Sequence, residues 1–145
     1  MEWQDPVTES GQLGRVLVVD DVAVVRKAIR TTLTNAGYEV MEAEDGEQAI
    51  RILQGLADPI PVDAILSDLR MPQLNGAELI TYFRRQYPAI PVVALTAYTD
   101  IELAVSLMRQ GVMDFLVKPV LQDEILSVVR RAVEQQGMHK HQGIA

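Results

Sequence analysis

Five short runs that are almost solidly apolar punctuate the chain, and each is followed by a longer run of helical periodicity. The strand-like runs are RVLVVD at 15–20, YEVMEA at 38–43, VDAILSD at 62–68, IPVVALT at 90–96 and DFLVK at 114–118. A strand with one wet face alternates apolar and polar residues. Most of these runs do not alternate, so both of their faces are buried. Between them lie amphipathic stretches. Val22, Val25, Ile29, Leu33 and Ala36 share one face of the first, and Gly37 ends it. Ala49, Ile50 and Leu53 line the second, and Leu79, Ile80 and Phe83 the third. In the fourth, Ile101, Ala104, Val105 and Met108 make the inner stripe. Thr99 and Glu102 have the spacing of a capping box, and Gly111 closes the helix. Ile125, Val128, Val129 and Val133 line the fifth. Strands alternating with helices predict an α/β fold, a doubly wound three-layer sandwich with a parallel sheet between helices.

The chain has 145 residues, 48% of them hydrophobic, which suits one domain with a real core. We expect the domain to span 14–136, with loose tails at 1–13 and 137–145. The net charge of −7 disfavours nucleic acid and anionic membranes as partners. The absence of cysteine excludes disulfides and thiolate chemistry. The first residues, MEWQDPVTESGQLG, do not read as a signal peptide, and no apolar run reaches bilayer length. A cytoplasmic location is the expectation. His139 and His141, near the end, read as tail residues and not as a metal site.

In a doubly wound sheet, ligands gather at the carboxyl ends of the strands. Asp20 and Asp21 end the first strand, Asp68 the third, Thr96 the fourth and Lys118 the fifth. Three crowded carboxylates repel one another, and a hard dication resolves the conflict. Magnesium, or manganese in its place, would be held by Asp20 and Asp21 and shared by Asp68. A carboxylate beside such an ion can attack a phosphoryl group and form an acyl phosphate. Lys118 and the Thr96 hydroxyl would support the charge on its oxygens. Taken singly, each of these residues has an ordinary explanation; the adjacent acids, for instance, could simply begin a helix. No base for repeated turnover is evident, which counts against an enzyme.

The motifs VLVVDD, ILSDLRMPQLNG, VVALTA and DFLVKP, in this order and spacing, resemble the receiver domain of two-component response regulators. The resemblance covers about residues 14–136. It implies a flavodoxin-like (βα)5 fold with strand order 2-1-3-4-5. It implies Asp68 as phosphoacceptor, with a sensor histidine kinase or a histidine phosphotransfer protein as donor. Asp21 and Asp68 match direct metal ligands, Asp20 matches a position that acts through metal-bound water, and the Arg70 backbone carbonyl matches a further ligand. Thr96 and Lys118 match residues that contact the phosphoryl group. Phe115 matches an aromatic switch, and the Lys118–Pro119 bond is often cis in the family. The implied output surface is the fourth helix, fifth strand and fifth helix, read by an output domain, an effector or a second copy in a homodimer. Arg70 and Tyr98 occupy variable positions and would overhang the phosphoryl group.

Three rivals remain. A phosphohydrolase with an aspartyl nucleophile usually carries a second aspartate two residues on, where this chain has Arg70, which cannot serve as acid and base. A flavin or nucleotide binder would want a glycine-rich loop after the first strand, where DDVAVV has none. A docking module that never takes phosphate stays open. No output domain is read after residue 136, so the chain is either a stand-alone regulator or a receiver from a longer protein.

Overall fold

The structure, a computed structural model, describes residues 13–57, 60–71 and 75–144, with side chains as far as 137. Its elements follow the alternation of the sequence. They are β1 (Arg15–Val19), α1 (Ala23–Asn35), β2 (Glu39–Ala43), α2 (Gly46–Gln54), β3 (Ala64–Asp68), α3 (Gly76–Gln86), β4 (Val92–Thr96), α4 (Ile101–Arg109), β5 (Asp114–Val117) and α5 (Gln122–Ile144). All five strands are parallel, in the order β2-β1-β3-β4-β5.

Alternate residues of each strand enter opposite cores. Val16, Val18, Ala64, Leu66, Val93 and Leu95 pack with Ile29 and Leu33 of α1 and with Val128 and Val129 of α5. Leu17, Val19, Ile65, Val92 and Ala94 pack with Leu53, Leu79, Ile80, Phe83 and Leu107 on the other face. β1, β3 and β4 are therefore buried on both faces, as their solid apolar runs require. Gly37 and Gly111 turn the chain after α1 and α4 with φ of +105° and +109°, a region where a side chain would be strained.

Several local expectations need correction. Val22 is 46% exposed because α1 starts only at Ala23 and Val22 is its N-cap. The buried position in that stripe is taken by Arg26. Thr99 and Glu102 form no capping box. A 3₁₀ turn runs through Tyr98–Asp100, which places Thr99 inside the turn and makes Asp100 the N-cap of α4. The inner face of α4 is Ala104 and Leu107, while Val105 and Met108 sit at its exposed edge. At the other end of the chain, α5 runs on to Ile144. Residues 1–12, the rest of the expected N-terminal tail, lie outside the described residues.

Candidate functional site

Register assembles the site. Val19 pairs with Ser67, so Asp20, the next residue, arrives beside Asp68 at the end of β3. Asp68 pairs with Leu95, and Thr96 with Val117, so Lys118 emerges next to the end of β4. Backbone hydrogen bonds hold these ends in place. Asp20 N–H donates to the Ala43 carbonyl at 3.1 Å, Leu69 N–H to Leu95 at 2.9 Å and Lys118 N–H to Thr96 at 2.8 Å.

Asp20, Asp21 and Asp68 each present a carboxylate oxygen within 4.8 Å of the others. Asp20 and Asp68 are buried, and Asp21 is exposed. The Lys118 ammonium stands between the buried pair, 2.8 Å from Asp20 Oδ2 and 2.9 Å from Asp68 Oδ2. The contact to Asp68 is a well-directed hydrogen bond. The contact to Asp20 Oδ2 is close but poorly angled, so this fully buried oxygen lacks a directed donor. The remaining oxygens accept backbone N–H groups: Asp20 Oδ1 from Val22 at 2.9 Å and Asp68 Oδ1 from Arg70 at 3.1 Å.

The charges explain the electrostatics. Burial pushes the Asp68 carboxyl above the usual aspartate value. The Arg70 N–H and Lys118 pull the other way, and the Asp20 charge adds to the rise. Burial alone would depress Lys118, but Asp20 and Asp68 outweigh it and hold the ammonium above its ordinary value. Three carboxylates, if ionised, face one ammonium, so two negative charges are left without a local partner. This all-oxygen donor set, with one buried oxygen short of a donor, fits a hard divalent cation.

Thr96 is fully buried, and its hydroxyl donates to the Ala97 carbonyl at 3.1 Å instead of reaching Asp68. Phe115 is partly buried and packs on the core face shared with α3 and α4. The Lys118–Pro119 peptide bond is cis. Arg70 turns its side chain outward, where it forms a two-pronged ion pair with Asp100. The Arg70 hydrogen bonds hold the Asp100 carboxyl below the usual value. Tyr98 is exposed.

Three supporting features escaped the sequence reading. Arg26 is buried, donates to the Asp20 carbonyl at 2.7 Å and pairs with Glu42 at 2.9 Å. An arginine set in an apolar helical stripe was the signal for it. Gly76 is needed for close approach, since a Cβ there would lie 2.3 Å from the Asp68 carbonyl oxygen. That glycine lets the start of α3 press on the strand end that carries Asp68. Asp100, the partner of Arg70, had no signal that tied it to the site.

Over residues 16–130 the chain matches the family model of the response regulator receiver domain. The chain belongs to the response regulator receiver domain family. It is 38% identical over 122 residues to the DNA-binding transcriptional regulator NtrC of Escherichia coli K12, covering 84% of this chain and 25% of that one. The chain thus spans about a quarter of the length of such curated relatives. Among solved structures, it is similar to a response regulator receiver domain protein of Clostridium thermocellum, with a TM-score of 0.81 and 25% identity over 87% of this chain and 98% of that one. It is also similar to the chemotaxis response regulator CheY4 of Vibrio cholerae, with a TM-score of 0.72 and 34% identity over 82% and 98% of the two chains. As a receiver, the chain is a domain of two-component response regulators. Among the described residues, no helix is long and apolar enough to cross a membrane.

Proposed function

We propose that this receiver takes a phosphoryl group on Asp68 from a histidine kinase or a histidine phosphotransfer protein. The single observation that carries the reading is the Lys118 ammonium set between Asp20 and Asp68 in a cluster of three carboxylates. Asp68 is the nucleophile. One carboxylate oxygen attacks phosphorus, the bond from phosphorus to the donor nitrogen breaks, and an acyl phosphate results. Lys118, already in contact with Asp68, pairs with the oxygens of the incoming group. Thr96 offers its hydroxyl by giving up the Ala97 carbonyl, a bond within the chain that is easily exchanged.

Asp20, Asp21, Asp68 and the Arg70 carbonyl would hold magnesium, or manganese, which supplies charge neutralisation at the phosphoryl oxygens when bound. Arg70, two residues beyond Asp68 and engaged with Asp100, cannot serve as acid or base there, which supports a signalling role over repeated turnover. The output surface is the α4-β5-α5 face, which Thr96 and Phe115 border, read by an output domain, an effector or a second copy. Movement of Thr96 toward the phosphoryl group and rotation of Phe115 would shift the population between two packings of that face. A cytoplasmic setting suits such a phosphorelay.

The test is incubation with acetyl phosphate or phosphoramidate and magnesium, followed by intact mass. The expected result is a gain of one phosphoryl group that Asp68→Asn abolishes. No gain with any donor favours a docking module that never takes phosphate.

A further inference from the structure

The Arg26 side chain reaches from α1 back to the two adjacent acids of the site. Its Nη1 donates to the Asp20 carbonyl at 2.7 Å, and its Nε donates to Glu42 Oε1 at 2.9 Å. Both groups are well shielded from water: Arg26 is 9% exposed and the Glu42 side chain 14%. Burying an arginine is costly unless its donors find partners. One partner here is not an acid of the cluster but a peptide carbonyl. It belongs to the peptide that joins Asp20 to Asp21.

β1 ends at Val19, so this peptide lies past the regular ladder. β2 controls it from two sides. Ala43 accepts the Asp20 N–H at 3.1 Å, and Glu42, one residue earlier, holds the guanidinium that binds the Asp20 carbonyl. A peptide unit is planar, so fixing its carbonyl fixes the direction in which the chain leaves for Asp21. The Asp20 carboxylate has anchors of its own in the Val22 N–H and Lys118. Asp21 is exposed, and among the described residues no hydrogen bond or ion pair anchors its carboxylate. Its place within 4.8 Å of Asp20 and Asp68 therefore depends on the backbone that carries it.

We propose that Arg26 is a positioning residue for the dication site: held by Glu42, it fixes the Asp20–Asp21 peptide and so brings the Asp21 carboxylate to the ion. The inference rests on the reading of the acidic cluster as a magnesium site that serves Asp68. Two effects of Arg26 act in opposite directions. Its charge repels a dication, so on electrostatic grounds alone its removal tightens magnesium binding. Its hold on the peptide favours the ion, so its removal loosens binding. The second effect wins, because Glu42 already offsets much of the charge.

The test is magnesium titration by calorimetry and by the Asp21 and Val22 amide shifts, with circular dichroism establishing that each variant is folded. Arg26→Met raises the magnesium Kd by about tenfold, the scale for a group that orients a metal ligand. The double variant Arg26→Met with Glu42→Gln, which keeps the net charge of the wild type, shows the same loss. Arg26→Lys keeps a donor and recovers part of it, and it carries the test even where methionine prevents folding. Saturating magnesium restores phosphoryl uptake from acetyl phosphate to about the wild-type rate, as lost binding requires and a damaged fold would not allow. An unchanged or lower Kd in the folded Arg26 variants, or uptake that magnesium does not restore, overturns the positioning role and leaves the metal site standing. A wild type whose Asp21 and Val22 amides do not respond to magnesium overturns the reading of the metal site as well.

Discussion

Arg26→Met separates the buried polar support of the site from its apolar packing. Methionine keeps a long unbranched stem in the α1 stripe but removes every donor. The Asp20 carbonyl loses its 2.7 Å partner in a buried setting, which costs about 1–3 kcal/mol. Glu42 loses Arg26 but keeps Arg30, and Lys27 at 3.8 Å, so its charge is not stranded. That side of the loss is below about 1 kcal/mol. The sum is about 1–4 kcal/mol, which at a urea dependence of about 2 kcal/mol/M lowers the denaturation midpoint by roughly 0.5–2 M with an unchanged slope. Circular dichroism in urea measures it. Arg26→Lys, which can serve one of the two partners at a time, falls between wild type and Arg26→Met. A midpoint within about 0.3 M of wild type would refute the reasoning, because the Asp20 carbonyl would then have no need of the guanidinium.

Other changes test other parts of the account. Burial acts to raise the Glu42 carboxyl, but Arg30 and Arg26 outweigh it and hold the group below its reference value of 4.5. A depressed carboxylate contributes stability above its unfolded pKa and loses it as pH falls through the folded one. Wild-type stability therefore drops more steeply below about pH 4.5 than that of Glu42→Gln, as urea midpoints across pH will register. Gly76→Ala sets a methyl group against the Asp68 and Leu69 backbone, which cannot yield as a side chain would. We expect a loss of about 3 kcal/mol or more, or a displaced loop with weakened magnesium binding, read by urea melts and by calorimetric titration. Lys118→Met removes a cation that competes with the metal for Asp20 and Asp68. Magnesium then binds tighter, by about tenfold on calorimetric titration, while phosphoryl uptake slows.

The layered architecture was legible because burial on both faces leaves its mark on composition: Leu17, Val18 and Val19 leave no polar face on β1. The edge position of Asp20, Asp68, Thr96 and Lys118 followed from that architecture alone, since parallel strands put all their carboxyl ends on one side. What stayed hidden depends on the third dimension. Arg26 drew no attention, because a sequence does not show that Glu42 of the next strand and the Asp20 carbonyl meet its guanidinium. The stripe on α4 was misplaced by a residue or so, as Ala104 and Leu107 turn inward while Val105 and Met108 do not. The apparent capping box failed because a 3₁₀ turn intervened and Arg70 claimed Asp100. The tight approach of Gly76 to Asp68 is a fact of packing that no sequence pattern announces.

The most direct measurement identifies the modified atom. Borohydride reduces an acyl phosphate to an alcohol, so a phosphorylated aspartate becomes homoserine, and peptide mass spectrometry finds its position. The account predicts homoserine at residue 68, formed only with magnesium and a phosphoryl donor and absent at Asp20 and Asp21. Homoserine at either of those two, or none in a protein that has gained a phosphoryl group, would contradict it.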